Sequence, residues 1–222
     1  MIVSILLRKT FSKEVNGIFS KVFHENSVVI DVSGSSKQHI NGTMQLTKPE
    51  YAIYPWTKKY DWCSNCGLKN NMPPFISFSI PNKKFKFNSY FIRAGCCYGD
   101  CCCEDEHYGY CIDCCLYSWA LQISEDNKTW KDIHRVEKDR EMRRCNEKTY
   151  SLDKEFQGNY VRIIQTEPCP GEPPCLAINR FDLFGDLING QNHDDDEFVS
   201  FHDDDDDVSI IGHISKNHAA HN

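Results

Sequence analysis

Cysteine is the residue type in this chain with the most chemistry to offer. The sequence has 222 residues and 13 cysteines. Cys63 and Cys66 are separated by two residues, and so are Cys111 and Cys114. Two such pairs present four thiolates to a tetrahedral zinc ion when a fold brings them together. The spacing therefore predicts a structural zinc site at these four residues, with His107 as a further ligand.

Two other interpretations of the cysteines stay open. The two pairs lie far apart in the sequence, so only the fold can bring them together. The thiols of the block 96–115 could instead be free or adventitiously paired in an expanded loop, and an environment that keeps thiols reduced would favour the free form. A disulfide framework is the third interpretation, although an odd number of cysteines cannot all pair within one chain. Apart from the zinc ion, no cofactor is expected.

A second group of residues points to binding. Tyr54, Trp56, Lys58, Lys59 and Tyr60 follow one another closely in a loop rich in Pro and aromatic residues. Exposed aromatic rings stack on sugar faces or enter membranes, and lysines attract phosphates or carboxylates. We predict that these five residues contact a ligand. The alternative is that the tryptophans of this segment belong to the core of a β domain.

Catalytic signatures do not stand out in the sequence. It shows no glycine-rich phosphate loop, no Ser-His-Asp order, no His-Glu-x-x-His motif and no obvious Cys-His pair. The basic residues are not grouped as a nucleic-acid footprint. We therefore expect a binding protein that is not an enzyme and does not bind nucleic acid.

The elements that must position these residues are short strands. Apolar and polar residues alternate in several runs bounded by turn signals, which is typical of an antiparallel β-sandwich or barrel. The charged segment 137–144 lacks an apolar stripe and is predicted to be a solvated loop or a short turn of helix. The predicted strands are 28–32, 75–80, 85–87, 90–93, one beginning near Trp119, one beginning near Trp130, one beginning at Tyr160, and 176–185.

Four of these stretches, in this order, carry a family resemblance. They are 75–93, the hairpin from Ser118 to Trp130, the strand 159–166, and 176–185 with its sequence Leu-Ala-Ile-Asn-Arg-Phe-Asp-Leu-Phe-Gly. Together they resemble the factor V/VIII type C, or discoidin-like, domain in its intracellular, protist-type branch. The resemblance implies an eight-stranded, jelly-roll-like β-sandwich that binds a glycan, an anionic lipid or a protein through loops at one end. The aromatic loop 54–62 falls where that family places a ligand-facing loop.

The strand pattern also predicts the core. Side chains that alternate along a strand share one face, so seven apolar residues are expected to be buried together. Trp130 is likewise expected in the core. The seven residues are Trp119, Leu121, Ile123, Val161, Ile163, Phe181 and Leu183.

The predicted organisation is a lead segment 1–16, a sandwich 17–187 that carries a Cys-rich loop insertion 94–117, and an acidic tail 188–222. The runs 194–197 and 203–207 repel themselves, so the tail is expected to be disordered, and a basic partner could dock on it. The apolar start at residues 1–7 does not fit a signal peptide, and no apolar run reaches about 18 residues. These observations predict a cytoplasmic protein without a transmembrane segment. The alternative function is a structural or adaptor subunit that docks through the sandwich, the Cys-rich loop and the tail.

Overall fold

The computed structural model describes residues 16–68, 71–96 and 116–190, and the backbone of 103–104 and 111–112. Nearly all of the predicted lead segment and acidic tail, and much of the cysteine block, lie outside the described residues.

The described residues form one short helix, two 3-10 turns (Phe23–Glu25 and Pro49–Ile53) and thirteen strands. The bounds are α1 Ile18–Val22, β1 Val29–Val32, β2 Lys37–Ile40, β3 Thr43–Leu46, β4 Trp62–Cys63, β5 Phe75–Ser79, β6 Lys83–Ala94, β7 Cys103–Glu104, β8 Cys111–Ile112, β9 Ser118–Ser124, β10 Lys131–Val136, β11 Glu147–Gly158, β12 Tyr160–Glu167 and β13 Ala177–Asn189.

Two antiparallel sheets form a β-sandwich, as predicted. One has the strand order β1-β5-β12-β9-β10 and the other β11-β6-β13-β4. The register places apolar residues in rows, for example Ile163 opposite both Ile76 and Leu121. Since successive side chains of a strand point to opposite faces, each row fills the space between the sheets. The predicted core is confirmed, because six of its seven residues are fully buried and Ile123 packs against them half-buried.

Helix α1 is tied to the last strand. Asp182 of β13 accepts hydrogen bonds from the backbone N–H groups of Phe19 (2.8 Å) and Ser20 (3.2 Å). A Cβ atom on Gly17 would lie 2.2 Å from Asp182 Oδ1, so glycine permits this close approach. Burial raises the pKa of the Asp182 carboxyl group, and the hydrogen bonds it accepts partly oppose that rise.

Three strand predictions need correction. The segments predicted as 85–87 and 90–93 form one continuous strand, β6. Strand β11 was not expected, because its charged, exposed residues hide the alternation. Trp130 is half-buried on the outer face, where the Arg162 guanidinium stacks 4.0 Å from its ring centroid. The predicted loop 137–144 is confirmed as irregular.

The described part of the cysteine block adds strands to a third sheet. The hairpin of β2 and β3 pairs with β7 through Lys37 and Glu104, and β7 pairs with β8, giving the order β3-β2-β7-β8. The block therefore extends an existing hairpin by strand pairing. Whether residues 94–117 are a removable insertion stays a prediction.

The interpretation of free thiols in the block 96–115 is wrong at Cys96, the cysteine of that block whose side chain the structure describes. Cys96 and Cys145 form a disulfide with their Cα atoms 4.4 Å apart. Pairing of β6 and β11 continues beyond the strand ends, with Cys145 N–H donating to the Gly95 carbonyl at 2.9 Å, and this brings the two cysteines together. Cys63 and Cys169 are also disulfide-bonded. The sequence could not show this register, because the two cysteines are separated by 49 positions.

Candidate ligand-binding site

Aromatic side chains gather at the side of the sandwich where the 3-10 turns lie. The ring centroids of Tyr54 and Trp56 are 4.5 Å apart, and Phe23 meets both edge-on at 5.1 Å. Tyr51 lies 5.4 Å from Tyr54 and 4.7 Å from Tyr60. We call these five residues the aromatic cluster. Trp56 is 45% exposed, while the other four are half-buried, so the cluster offers one ring to solvent on a packed base.

The 3-10 turn 49–53 places the cluster. It begins at Pro49, whose fixed φ suits the first turn of a helix. Ala52 and Ile53 point into the core and are almost fully buried. Since these two residues anchor the turn, Tyr51 and the following Tyr54 are left at the surface.

Lys58 lies beneath the cluster. Its side chain is buried, and Nζ donates a hydrogen bond to the backbone carbonyl of Asn179. The same nitrogen is 5.8 Å from the ring centroid of Tyr54 and 5.4 Å from that of Tyr60. Burial lowers the pKa of Lys58 to about 7, although Asp61 opposes this effect. The amine therefore holds the loop from inside the protein.

Asp61 is the centre of a buried hydrogen-bond network that fixes the loop. Its carboxylate accepts hydrogen bonds from Gln38 Nε2 (2.8 Å), Asn179 Nδ2 (2.9 Å) and the Cys96 N–H (2.9 Å). Asn179 also donates to the carbonyls of Lys58 and Tyr60. We call Gln38, Lys58, Asp61, Cys96 and Asn179 the Asp61 network. It ties the aromatic loop to β2, β13 and the end of β6, so the cluster rests on a rigid base.

Tyr51 and Tyr54 of the cluster stay protonated at neutral pH. Burial raises the pKa of Tyr54 to about 12, with the Glu50 carboxylate adding to the rise. The pKa of Tyr51 is raised for the same reasons, with Tyr60 contributing. Uncharged phenol groups both donate and accept hydrogen bonds. The site thus combines apolar ring faces with neutral polar groups.

The five predicted ligand residues differ in where their side chains lie relative to the aromatic cluster. Tyr54, Trp56 and Tyr60 meet in the cluster, and Lys59 is exposed beside it. The amine of Lys58 points inward, unlike the solvent-facing cation that the sequence predicts. That these residues bind a ligand stays a prediction.

Sequence reasoning missed several residues of the site. Phe23 comes from a distant segment and gave no signal. Asn179 did give a signal in the sequence, because it is a polar residue directly after the apolar run Leu176, Ala177 and Ile178, which is buried in the structure. Asp61 could have been noticed as an acid between two aromatic residues, but only burial shows its role.

The predicted zinc site is contradicted at Cys63. This sulfur is in a disulfide, so it has no thiolate to offer a metal ion. Cys66 is buried, Cys111 begins β8, and Cys114 lies outside the described residues. Among the described residues, no group of three or more His, Cys, Asp or Glu side chains is placed to hold a metal ion.

The two facing antiparallel sheets have the galactose-binding-like fold of the F5/8 type C, or discoidin-like, domains. The solved structures with this fold include carbohydrate-binding modules. One is CBM32-3 from a family 31 glycoside hydrolase of Clostridium perfringens, with a TM-score of 0.50, 10% identity, and coverage of 72% of this chain and 92% of that chain.

Two further similar structures hold sugars. A Clostridium perfringens module in complex with GalNAc-β-1,3-galactose has a TM-score of 0.47 and 14% identity, covering 72% of this chain and 96% of the module. A chitosan-binding module from Paenibacillus sp. IK-5 in complex with chitotriose has a TM-score of 0.47 and 11% identity, covering 72% and 97%. No family model matches the sequence, and no curated protein matches it. The similarity to CBM32-3, at a TM-score of 0.50, shows the fold alone.

Among the described residues, no helix is long and apolar enough to cross a membrane.

Proposed function

We propose that this chain is a glycan-binding module without catalytic activity, and that the aromatic cluster is its binding surface. The observation that carries the proposal is the exposed Trp56 ring, packed on Tyr54 and Phe23. One face of a pyranose ring presents C–H groups and packs against an aromatic face, while the hydroxyl groups keep contact with water and polar side chains.

The surroundings of Trp56 suit a sugar better than an apolar ligand. The hydroxyl groups of Tyr51 and Tyr54 are protonated, and Lys59 is exposed nearby. These groups can bind sugar hydroxyl groups from several directions. The buried Asp61 network holds the loop in place before a ligand arrives, so binding requires little ordering of the protein.

The fold agrees with this proposal without establishing it. The similar structures are carbohydrate-binding modules, two of them with sugars bound. A fold hosts many functions, so the surface of this chain has to carry the argument.

The experiment is a glycan array with the full-length chain, followed by calorimetric titration of the best glycan. Removing an exposed ring that stacks on a sugar costs roughly 1.5 kcal/mol or more, so Trp56→Ala should weaken binding at least about tenfold. Trp56→Phe keeps a ring and should retain part of the affinity. Leu46→Ala is the matched control, because Leu46 is 61% exposed on β3, outside the cluster, and its loss should leave the affinity unchanged.

The proposal fails if the folded chain binds no glycan on the array, or if Trp56→Ala binds as tightly as the wild type. Capture of a protein whose binding resists competition by glycans would favour the adaptor function instead.

A further inference from the structure

Two asparagines of this chain stand in the acceptor sequence for N-linked glycosylation. The tripeptides are Asn41-Gly42-Thr43 and Asn127-Lys128-Thr129, and no other asparagine of the sequence is followed by Ser or Thr two positions later. The pattern Asn-x-Ser/Thr is short and arises by chance. The structure therefore has to decide whether these two sites could carry an oligosaccharide.

Asn41 lies at the tip of the hairpin between β2 and β3. Its φ is 52°, and that of Gly42 is 82°, which suits the tight Asn-Gly turn of a two-residue hairpin. Residues 41–43 are all exposed. A Cβ atom added to Gly42 would meet nothing within 4 Å, so the space around the tip is open to a bulky group.

Asn127 lies in the turn between β9 and β10. Asp126 builds that turn, because its carboxylate accepts hydrogen bonds from the N–H groups of Lys128 (2.9 Å) and Thr129 (2.7 Å) and from the hydroxyl of Ser124 (2.9 Å). Asn127 adopts a φ of 57°, and residues 125–129 are exposed. No described residue hydrogen-bonds to the side-chain amide of Asn127, so the turn does not depend on it.

The disulfides supply an independent observation. The structure pairs Cys96 with Cys145 and also places Cys63 and Cys169 in disulfides. Disulfides persist in oxidising environments such as the endoplasmic reticulum and the cell exterior. N-linked oligosaccharides are added in the same compartment, and they are typical of surface loops in secreted proteins.

From the turns, their exposure and the disulfides we infer that Asn41 and Asn127 are N-glycosylated, and that the chain matures in an oxidising secretory compartment. This inference replaces the predicted cytoplasmic location. The donor is a polyprenyl-diphosphate-linked oligosaccharide. The side-chain nitrogen of asparagine forms a bond to the anomeric carbon, the bond from that carbon to the diphosphate oxygen breaks, and the amide loses one proton as the polyprenyl diphosphate leaves.

The Asn127 oligosaccharide would be remote from the Asp61 network. Glu125, two positions before Asn127, forms an ion pair with Lys84 at the start of β6. Cys96, which donates its N–H to Asp61, lies just beyond the opposite end of β6. Ten residues of strand at about 3.3 Å each separate Lys84 from Ala94, a span of roughly 33 Å. At Asn127 the modification is therefore independent of the proposed function, and either could fail without the other.

The test uses tagged full-length chain purified from the cells that naturally make it. Treatment with peptide N-glycosidase should lower the apparent mass and convert both asparagines to aspartate, which peptide mass spectrometry detects. Asn41→Gln and Asn127→Gln should each remove one step of the mass shift. Thr43→Ala and Thr129→Ala should each also remove one step of the mass shift, although they keep the asparagine. This second pair of variants keeps the test decisive if the asparagine variants do not fold.

Asn82→Gln is the matched control. Asn82 is also exposed in a turn with a φ of 59°, but the residue two positions after it is lysine and not Ser or Thr. Asn82→Gln should therefore keep both steps of the mass shift. An unmodified asparagine at both positions in the folded, purified protein would overturn the inference. Modification at one position only would overturn it for the other.

Discussion

The buried amine of Lys58 makes stability depend on pH in a defined direction. The side chain is held against the Asn179 carbonyl, and burial lowers its pKa from the usual value of 10.5 to about 7. The charged groups that face it are Asp61, Arg93 and Arg180, and the phenol groups of Tyr54 and Tyr60 lie beside it. Between the two pKa values the unfolded chain binds the proton and the folded chain does not. Stability must therefore rise as pH rises through this window.

The magnitude follows from the two pKa values. One pKa unit corresponds to about 1.4 kcal/mol, and the window begins where the folded amine is half protonated. Raising the pH from about 7 to about 9 should thus increase the contribution of Lys58 to the free energy of unfolding by about 2 kcal/mol. Lys58→Met keeps the length of the side chain and removes the titration. Its loss of one hydrogen bond, about 1 kcal/mol, is the same at every pH in this range.

The assay is urea unfolding of the wild type and Lys58→Met at several pH values. We expect the difference in unfolding free energy between them to change by about 2 kcal/mol across the window, because the other titrating groups are common to both proteins. Lys59→Met is the control: this neighbour is exposed, so its difference from the wild type should stay constant. Parallel pH profiles for the wild type and Lys58→Met would refute the reasoning.

Three further predictions concern the frame around the site. Trp62→Ala should lower the free energy of unfolding in urea by roughly 3–5 kcal/mol, because the ring of Trp62 is fully buried. An equal loss of stability for Trp62→Ala and for Trp56→Ala, whose ring is exposed, would contradict the burial described. Cys145→Ser should remove about 2–4 kcal/mol of stability. A reductant should lower the stability of the wild type by more than that of the variant, which keeps the disulfides of Cys63 and Cys169 but lacks that of Cys145. The idea is wrong if peptide mapping of the denatured, unreduced, alkylated chain finds Cys145 as a free thiol. Gly185→Ala should destabilise the protein by at least about 1 kcal/mol, because residue 185 has a φ of 158° and the added Cβ would lie 2.0 Å from a backbone oxygen of β6. Gly171→Ala is the control, since Gly171 is also at positive φ but in open space, and this substitution should cost less stability. A larger cost for Gly171→Ala than for Gly185→Ala would exclude the steric explanation.

The sequence predicts the parts of this fold whose residues alternate strongly. β5, β9, β12 and β13 each present an apolar row to the core, so their pattern alone identifies them as strands. β11 is not recognised in the sequence because most of its side chains are exposed, and its inward residues Tyr150, Leu152 and Phe156 lie among polar and charged ones.

The site is predicted only where it is local. Tyr54, Trp56 and Tyr60 are close in sequence, and their clustering is visible there. The residues that hold them come from elsewhere: Gln38 is 23 positions from Asp61, and Asn179 is 118. Such pairings depend on the register between strands, which no local pattern encodes.

The bond between α1 and Asp182 has a consequence for how the protein forms. Phe19 and Asp182 are 163 positions apart, yet the start of the helix depends on that carboxylate. During synthesis the residues of α1 must therefore wait until β13 has emerged before they reach their place. Contacts so distant in sequence belong to slowly folding β proteins. Meanwhile Phe19, whose ring later packs against Phe78, Phe85 and Phe181, stays accessible to chaperones and proteases.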